Sequence, residues 1–316
     1  MNSPFISVIM PAFNAEKYIE ESINSVICQT YINWELIIIN DGSTDRTANI
    51  AGKYGAADAR IKLINQENKR LGAARNAGII TAKGNWIAFL DADDLWMPYK
   101  LEKQIQAAET EPAAGVIFSS GYTFYDNSLN TALPYGTVAG FFTHTEIYKL
   151  EYKGNYIPVL SALVKKSHID KIGLQDENPY VYGCEDWDYW LRLALNGVSF
   201  FGMNERLFYY RRHISNMSND NNLMTLAKAT VFIKNLKKEL LTKEEFGRIN
   251  GFINLTICSF TKLGKIKEAL FLNNFMYNVS KRWLRKFGSF IIDNHGKRAY
   301  YLLRLGFKID TMLNSD

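Results

Sequence analysis

The chain has 316 residues, 47% hydrophobic and 14% aromatic, with 37 Lys+Arg against 32 Asp+Glu. That length exceeds one typical domain, and the apolar content is enough for a real core, so the protein is globular. Three cysteines, Cys28, Cys184 and Cys258, form no C-x-x-C and no cysteine–histidine cluster, which excludes a disulfide framework or structural zinc and fits a reducing cytoplasm.

The N-terminus has no charged region before its first apolar stretch, and no apolar run reaches the 18 or so residues needed to cross a bilayer, so the protein is expected to be neither secreted nor membrane-spanning. Charge is distributed unevenly. Residues 221 to 316 carry 17 Lys+Arg against 7 Asp+Glu, leaving 20 against 25 in residues 1 to 220.

From residue 5 to 120, short β-rich runs alternate with helix-like segments. Strands are predicted over Phe5–Met10, Trp34–Asn40, Ile61–Asn65, Trp86–Leu90 and Val116–Ser120, with helices over Lys17–Gln29, Thr44–Tyr54, Leu71–Thr81 and Lys100–Glu109. This rhythm implies an α/β fold with a largely parallel sheet covered on both faces. In such sheets ligands bind outside the carboxyl ends of the strands, so the loops that follow strands are the first places to look for function.

Three of those loops are polar: Pro11-Ala12-Phe13-Asn14, Asn40-Asp41-Gly42-Ser43-Thr44-Asp45 and Asp91-Ala92-Asp93-Asp94. Asn14, Ser43 and Thr44 also suit helix caps and turns. The third loop puts three carboxylates within four residues of a strand end. Carboxylates so crowded repel one another unless a cation or fixed donors offset the charge, which makes a metal–phosphate site the leading reading. Asp94 is assigned as a helix cap.

Residues 121 to 185 are aromatic and polar without a clear period, as befits a segment that shapes a substrate pocket. A second D-x-D, Asp186-Trp187-Asp188, opens a helix in which Trp187, Trp190, Leu191, Ala194 and Leu195 form one apolar stripe. On a helix, residues i and i+2 point about 200° apart, so these two carboxylates cannot clamp one ion. Trp187 and Trp190 are therefore read as core. After that helix come Phe200–Tyr210, then the polar loop Arg211–Ser218, and helical patterns from about Asn221. Within the last region, Lys281, Arg282, Arg285 and Lys286 lie beside Trp283, Phe287, Phe290 and Ile291 at helical spacing. Such a face suits an anionic membrane leaflet, and equally suits packing on the catalytic domain or on a second subunit. No nucleic-acid motif accompanies the charge.

Taken in order, S-V-I-M-P-A-F-N, I-I-I-N-D-G-S-T-D, L-G-A-A-R-N-A-G, F-L-D-A-D-D, C-E-D-W-D-Y-W-L-R-L-A and Y-R-R-H-I-S-N-M-S resemble family 2 of the inverting nucleotide-sugar glycosyltransferases, over roughly residues 5 to 218. The resemblance implies a GT-A fold: a Rossmann-like, mostly parallel central sheet flanked by helices. It implies a catalytic domain over 1–220 and a basic, mainly helical C-terminal region over 221–316.

By the same resemblance, Pro11, Ala12, Phe13, Asn14, Asp41, Gly72, Arg75, Asp91, Ala92 and Arg212 would bind a UDP-sugar. Asp93, with Asp91 and His213, would hold Mn²⁺ or Mg²⁺. Asp186 would be the catalytic base, and Glu185 would bind the acceptor or orient Asp186. The chemistry agrees: a carboxylate at Asp41 can accept the uracil N3–H that cytosine lacks, and Arg75, placed near a helix start, can meet a uracil carbonyl or the diphosphate. Arg211–Ser218 resembles a segment that closes over the diphosphate.

The implied activity is metal-dependent, inverting transfer to a hydroxyl of a glycan or lipid-linked glycan. The expected setting is bacterial surface polysaccharide such as lipopolysaccharide O-antigen or capsule, made in the cytoplasm at the inner face of the plasma membrane. A homo-oligomer is left open. Two competing readings are a catalytically silent scaffold subunit and a nucleotidyltransferase.

Overall fold

The computed structural model describes residues 3–126 and 128–280, together with 292, 299, 300 and 303. The chain divides into two compact units. The first comprises residues up to Asn178 and Glu185–Asn219; the second comprises Pro179–Cys184 and the described residues from Asp220 onward.

The first unit begins with β1 (Ile6–Ala12), α1 (Ile19–Ile27), β2 (Trp34–Asp41), α2 (Thr47–Ala57), β3 (Ile61–Gln66), α3 (Arg70–Thr81), β4 (Trp86–Phe89), β5 (Leu95–Trp96) and α4 (Lys100–Thr110). It continues with β6 (Ala114–Tyr125), β7 (Ser128–Tyr135), β8 (Gly140–Phe142), α5 (His144–Glu151), β9 (Leu163–Lys165), α6 (Lys166–Ile172), α7 (Glu185–Leu195) and β10 (Ser199–Arg212).

Strands β1, β2 and β4 are buried along their whole length, which explains why they read as continuous apolar runs. Helix α1 covers them with Ile19, Ile23 and Val26. Helix α3 approaches β1 so closely that a Cβ on Gly78 would fall 2.4 Å from Ile9 Cγ2, so this crossing admits no side chain.

The sheet order is β3-β2-β1-β4-β9-β6-β10-β5, with β7 on β6 and β8 on β10. β3, β2, β1 and β4 are mutually parallel, as expected, and β6 is parallel to β10. Between these blocks β9 runs antiparallel to both β4 and β6. It comes from the segment without a period: at three residues it is too short to show one. The parallel strands bring the ends of β1, β2 and β4 to one rim. β10 pairs with β6 through several register shifts and delivers Arg211 and Arg212.

In the second unit, α8 (Asn221–Lys234), α9 (Lys243–Leu263) and α10 (Ile266–Ser280) pack on one another. α9 starts with a capping box, Thr242 with Glu245, and ends at Gly264 in the left-handed region (φ 78°). No helix among the described residues is long and apolar enough to cross a membrane. The basic amphipathic segment from Lys281 to Ile291 lies outside the described residues.

Candidate functional site

The first rim loop is locked to the second. Asn14 has a positive φ of 48°, its N–H donates to Ser43 Oγ at 3.0 Å, and its Oδ1 accepts from the Thr44 N–H at 2.9 Å. Asn14, Ser43 and Thr44 therefore cap no helix; α1 and α2 begin after Tyr18 and Arg46. Pro11 and Ala12 are buried in β1, whereas Phe13 beside them is 51% exposed.

At the end of β2, Asp41 is buried and its Oδ1 accepts twice, from Gln66 Nε2 at 2.6 Å and from the Lys69 N–H at 2.9 Å. Its Oδ2 has no partner among the described residues. Gly42 permits this fold-over: it has φ 75°, and a Cβ there would lie 2.7 Å from the Asn68 nitrogen. Asp41 thus presents a single acceptor atom, aimed by two donors.

The loop after β4 sends its three carboxylates in different directions. Asp91 accepts from Arg75 Nη2 through both oxygens, at 2.8 and 3.1 Å. Asp93 Oδ2 lies 3.0 Å from His213 Nε2, whose ring stacks on Tyr18 and whose Nδ1 lies 2.9 Å from Ser215 Oγ. Asp94 does not cap a helix, since α4 starts only at Lys100. Instead its buried Oδ1 accepts the Arg211 N–H at 2.7 Å, tying β10 to the loop. Burial and the neighbouring Asp93 and Asp91 charges push the Asp94 carboxyl well above the usual carboxylate range.

Arg75 is not at a loop-to-helix start; it lies inside α3 and is 2% exposed. Its electrostatic partners are Asp91, Glu185 and Asp186, so this one guanidinium joins the carboxylate loop to the start of α7. Gly72, one turn earlier, serves the same approach: a Cβ there would stand 3.0 Å from the Asp176 carbonyl and 3.4 Å from Glu185 Cγ.

The two carboxylates of the second D-x-D part company. Asp188 is buried and pairs with Arg192 Nε at 2.9 Å. Asp186 stays half-buried and accepts from Asn155 Nδ2 at 3.3 and 3.2 Å and from the Trp187 N–H at 2.7 Å. Burial raises the Asp186 carboxyl above its ordinary value; Arg75, Asn155 and the Trp187 N–H pull it back, and Asp91 raises it. Trp187 and Trp190 are buried, each donating its indole N–H to a backbone carbonyl, of Glu151 at 2.7 Å and of Ile157 at 2.8 Å.

A pair of arginines closes the site, with contrasting roles. Arg211 is wholly buried and braces Asp93, Asp126 and Glu21, with Tyr18 and Phe124 against its guanidinium. Arg212 is exposed, makes no ion pair among the described residues and lies 5.8 Å from the Tyr210 ring. Arg212, Asp186 and Glu151 all act electrostatically on Tyr135, so the cation stands on the Asp186 side of the rim.

Among the described residues no three His, Cys, Asp or Glu side chains are grouped as a complete metal cage. Asp93 and His213 converge as a pair, which fits a hard cation that takes its remaining ligands from phosphate oxygens.

Gln66, Asn155 and Glu151 escaped the sequence reading because each acquires its role across the fold. α5 itself carried a legible signal, the capping box Thr143-x-x-Glu146.

A family model described as Glycosyl transferase family 2 matches residues 7–173. TuaG of Bacillus subtilis (strain 168), provisionally named a teichuronic acid biosynthesis glycosyltransferase, is 34% identical over 235 residues, 73% of this chain and 87% of its own. An uncharacterized glycosyltransferase of Rickettsia typhi is 32% identical over 273 residues, covering 84% of this chain and 83% of its own. Among solved structures, S. aureus TarS 1-349 in complex with UDP-GlcNAc has a TM-score of 0.66 at 19% identity, covering 97% of this chain and 92% of that one. A longer TarS structure has a TM-score of 0.64, and the chain spans 54% of it. The structural likeness establishes the fold, and the family match extends over more than half of the sequence. The chain belongs to glycosyl transferase family 2.

Proposed function

We propose that the protein is an inverting glycosyltransferase that moves a sugar from a UDP-sugar to a hydroxyl of a surface-glycan or lipid-linked glycan acceptor. The observation that carries this reading is the Arg75 bridge, which sets Asp186 and the carboxylate loop on one rim. In-line attack requires a base on the acceptor side and charge compensation on the leaving-group side, close together.

The free Oδ2 of Asp41 suits the uracil N3–H. Asp93 and His213 would hold Mn²⁺ or Mg²⁺, which would neutralise charge on the departing diphosphate. Arg212 is free to pair with a phosphate. Asp186, reached from solvent, would take the proton of the attacking hydroxyl.

Support for the donor comes from TarS, crystallised with UDP-GlcNAc. Support for the setting comes from TuaG, whose name refers to teichuronic acid. Lipopolysaccharide and capsule are related destinations, reached at the inner face of the plasma membrane, where the basic C-terminal region would make peripheral contact with the leaflet.

The test is thermal-shift binding of UDP, GDP, CMP and TDP, each with and without Mn²⁺, because a ligand selective for the native state raises its melting temperature by mass action. The expected result is a rise selective for UDP and larger with Mn²⁺. No response to any nucleotide would overturn the donor assignment, and release of pyrophosphate from a nucleoside triphosphate would indicate a nucleotidyltransferase.

Two substitutions sharpen this. Asp93→Ala is expected to abolish the Mn²⁺-dependent part of UDP binding and leave the metal-free part, as read by titration calorimetry. Gln66→Ala removes one of the two donors that aim Asp41 and should weaken UDP about tenfold, since a hydrogen bond to a charged group contributes about 1.5–3 kcal/mol. An unchanged UDP affinity would show that Asp41 is not aimed by Gln66.

A further inference from the structure

The loop that follows α5 is built as a rigid frame facing Asp186. Trp187 and Trp190 hold its two ends by indole N–H bonds to the Glu151 and Ile157 carbonyls, at 2.7 and 2.8 Å. Inside the frame, the Tyr156 N–H donates to Glu151 Oε1 at 3.2 Å, and the Glu151 side chain is fully buried. These bonds fix the backbone on both sides of Asn155. An exposed asparagine in such a loop ordinarily bonds nearby backbone. Here the Asn155 amide instead donates to both oxygens of Asp186, across 31 residues of sequence.

We propose that Asn155 is the positioning residue of the catalytic base: its amide, held by the tryptophan-clamped frame, sets the orientation of the Asp186 carboxylate toward the acceptor hydroxyl. This rests on the assignment of Asp186 as base.

The geometry is specific. The Trp187 N–H bonds Oδ1 alone, which leaves the carboxylate free to pivot about that atom. Asn155 contacts both oxygens and removes the pivot. A base misplaced by about 1 Å loses about 100-fold in rate. The donor residues Asp41 and Asp93 bond elsewhere, Asp41 to Gln66 and Lys69 and Asp93 to His213, so UDP affinity is expected not to depend on Asn155.

The experiment measures transfer with the full chain for Asn155→Ala and Asn155→Asp, with UDP affinity and a pH profile for each. Asn155→Ala is expected to lower kcat by about 10- to 100-fold with UDP affinity unchanged. Asn155→Asp keeps the shape but sets a second carboxylate against Asp186, so one proton is shared and the rise of kcat moves to higher pH. Asp186 is also faced by Arg75 from α3, Asp91 from the loop after β4, Glu151 from α5, Tyr135 from β7 and Glu185 beside it, all unaltered in both variants.

If both variants keep wild-type kcat and pH profile while Asp186→Asn is inactive, the positioning role is wrong and the base assignment stands. An equal loss of kcat and UDP affinity would indicate general distortion and would also overturn it. If Asp186→Asn transfers sugar normally, the underlying reading fails instead.

Discussion

Asp186→Asn is expected to lower the rate of sugar transfer by about 10³-fold, the middle of the range for loss of a general base, while leaving UDP affinity unchanged. Among the described residues the carboxylate has no partner of opposite charge at hydrogen-bond distance; it is held by an amide and a backbone N–H. Asn is nearly isosteric and removes the proton acceptor alone. In the wild-type protein, burial raises the Asp186 carboxyl, so kcat is expected to rise with pH along a limb displaced upward from the ordinary aspartate value; the variant should lose that limb.

The same shift has a sign for stability. A carboxyl raised in the folded state contributes stability fully present below its unfolded value and lost as pH rises through the folded one. Asp186→Asn removes that loss, so its melting temperature relative to wild type should be higher near pH 7 than near pH 4. Wild-type turnover by the Asn variant would overturn the base assignment, and a uniformly lower melting temperature would show that Asp186 has a structural role.

The parts of this site carried by the first half of the chain were legible because each follows a strand buried on both faces. β1, β2 and β4 announce themselves as apolar runs, and their ends had to lie on one rim of a parallel sheet. The segment between residues 121 and 185 was opaque for physical reasons. β7 is exposed nearly throughout, so no alternation marks it, and β8 and β9 have three residues each.

Individual roles were harder than elements. Asp94 looked like a cap because Asp often caps helices, yet it is the buried acceptor for Arg211. Two adjacent arginines were indistinguishable by type; alternation along β10 turns Arg211 inward and Arg212 outward. Trp187 and Trp190 were rightly read as core from their stripe, but the hydrogen bonds that make them clamps depend on carbonyls 36 and 33 residues earlier. Asn155 carried no signal at all, since its partner is set by how α5 packs on α7.

The second large effect is expected at Arg75. Its side chain is 3% exposed and bonds Asp91 through one nitrogen, while its buried Nε has no partner among the described residues. Arg75→Met fills much of the same volume but leaves Asp91 and Glu185 without their shared counter-charge. Removing one partner of a buried pair costs about 3–5 kcal/mol; with Asp91 still 27% exposed, about 2–3 kcal/mol is expected. That corresponds to a fall in melting temperature of roughly 4–12 °C for a unit of this size. Activity should fall further than stability, because Arg75 also lowers the Asp186 carboxyl, and its loss moves the kcat limb to higher pH. Arg75→Met combined with Asp91→Asn separates the two effects. Neutralising Asp91 removes the stranded charge, so the double variant should melt above Arg75→Met alone. It should not regain turnover, since Asp186 still lacks its cation. If Arg75→Met melts like wild type and keeps the wild-type pH limb, the guanidinium does not couple the carboxylate loop to the base, and the two halves of the site act independently.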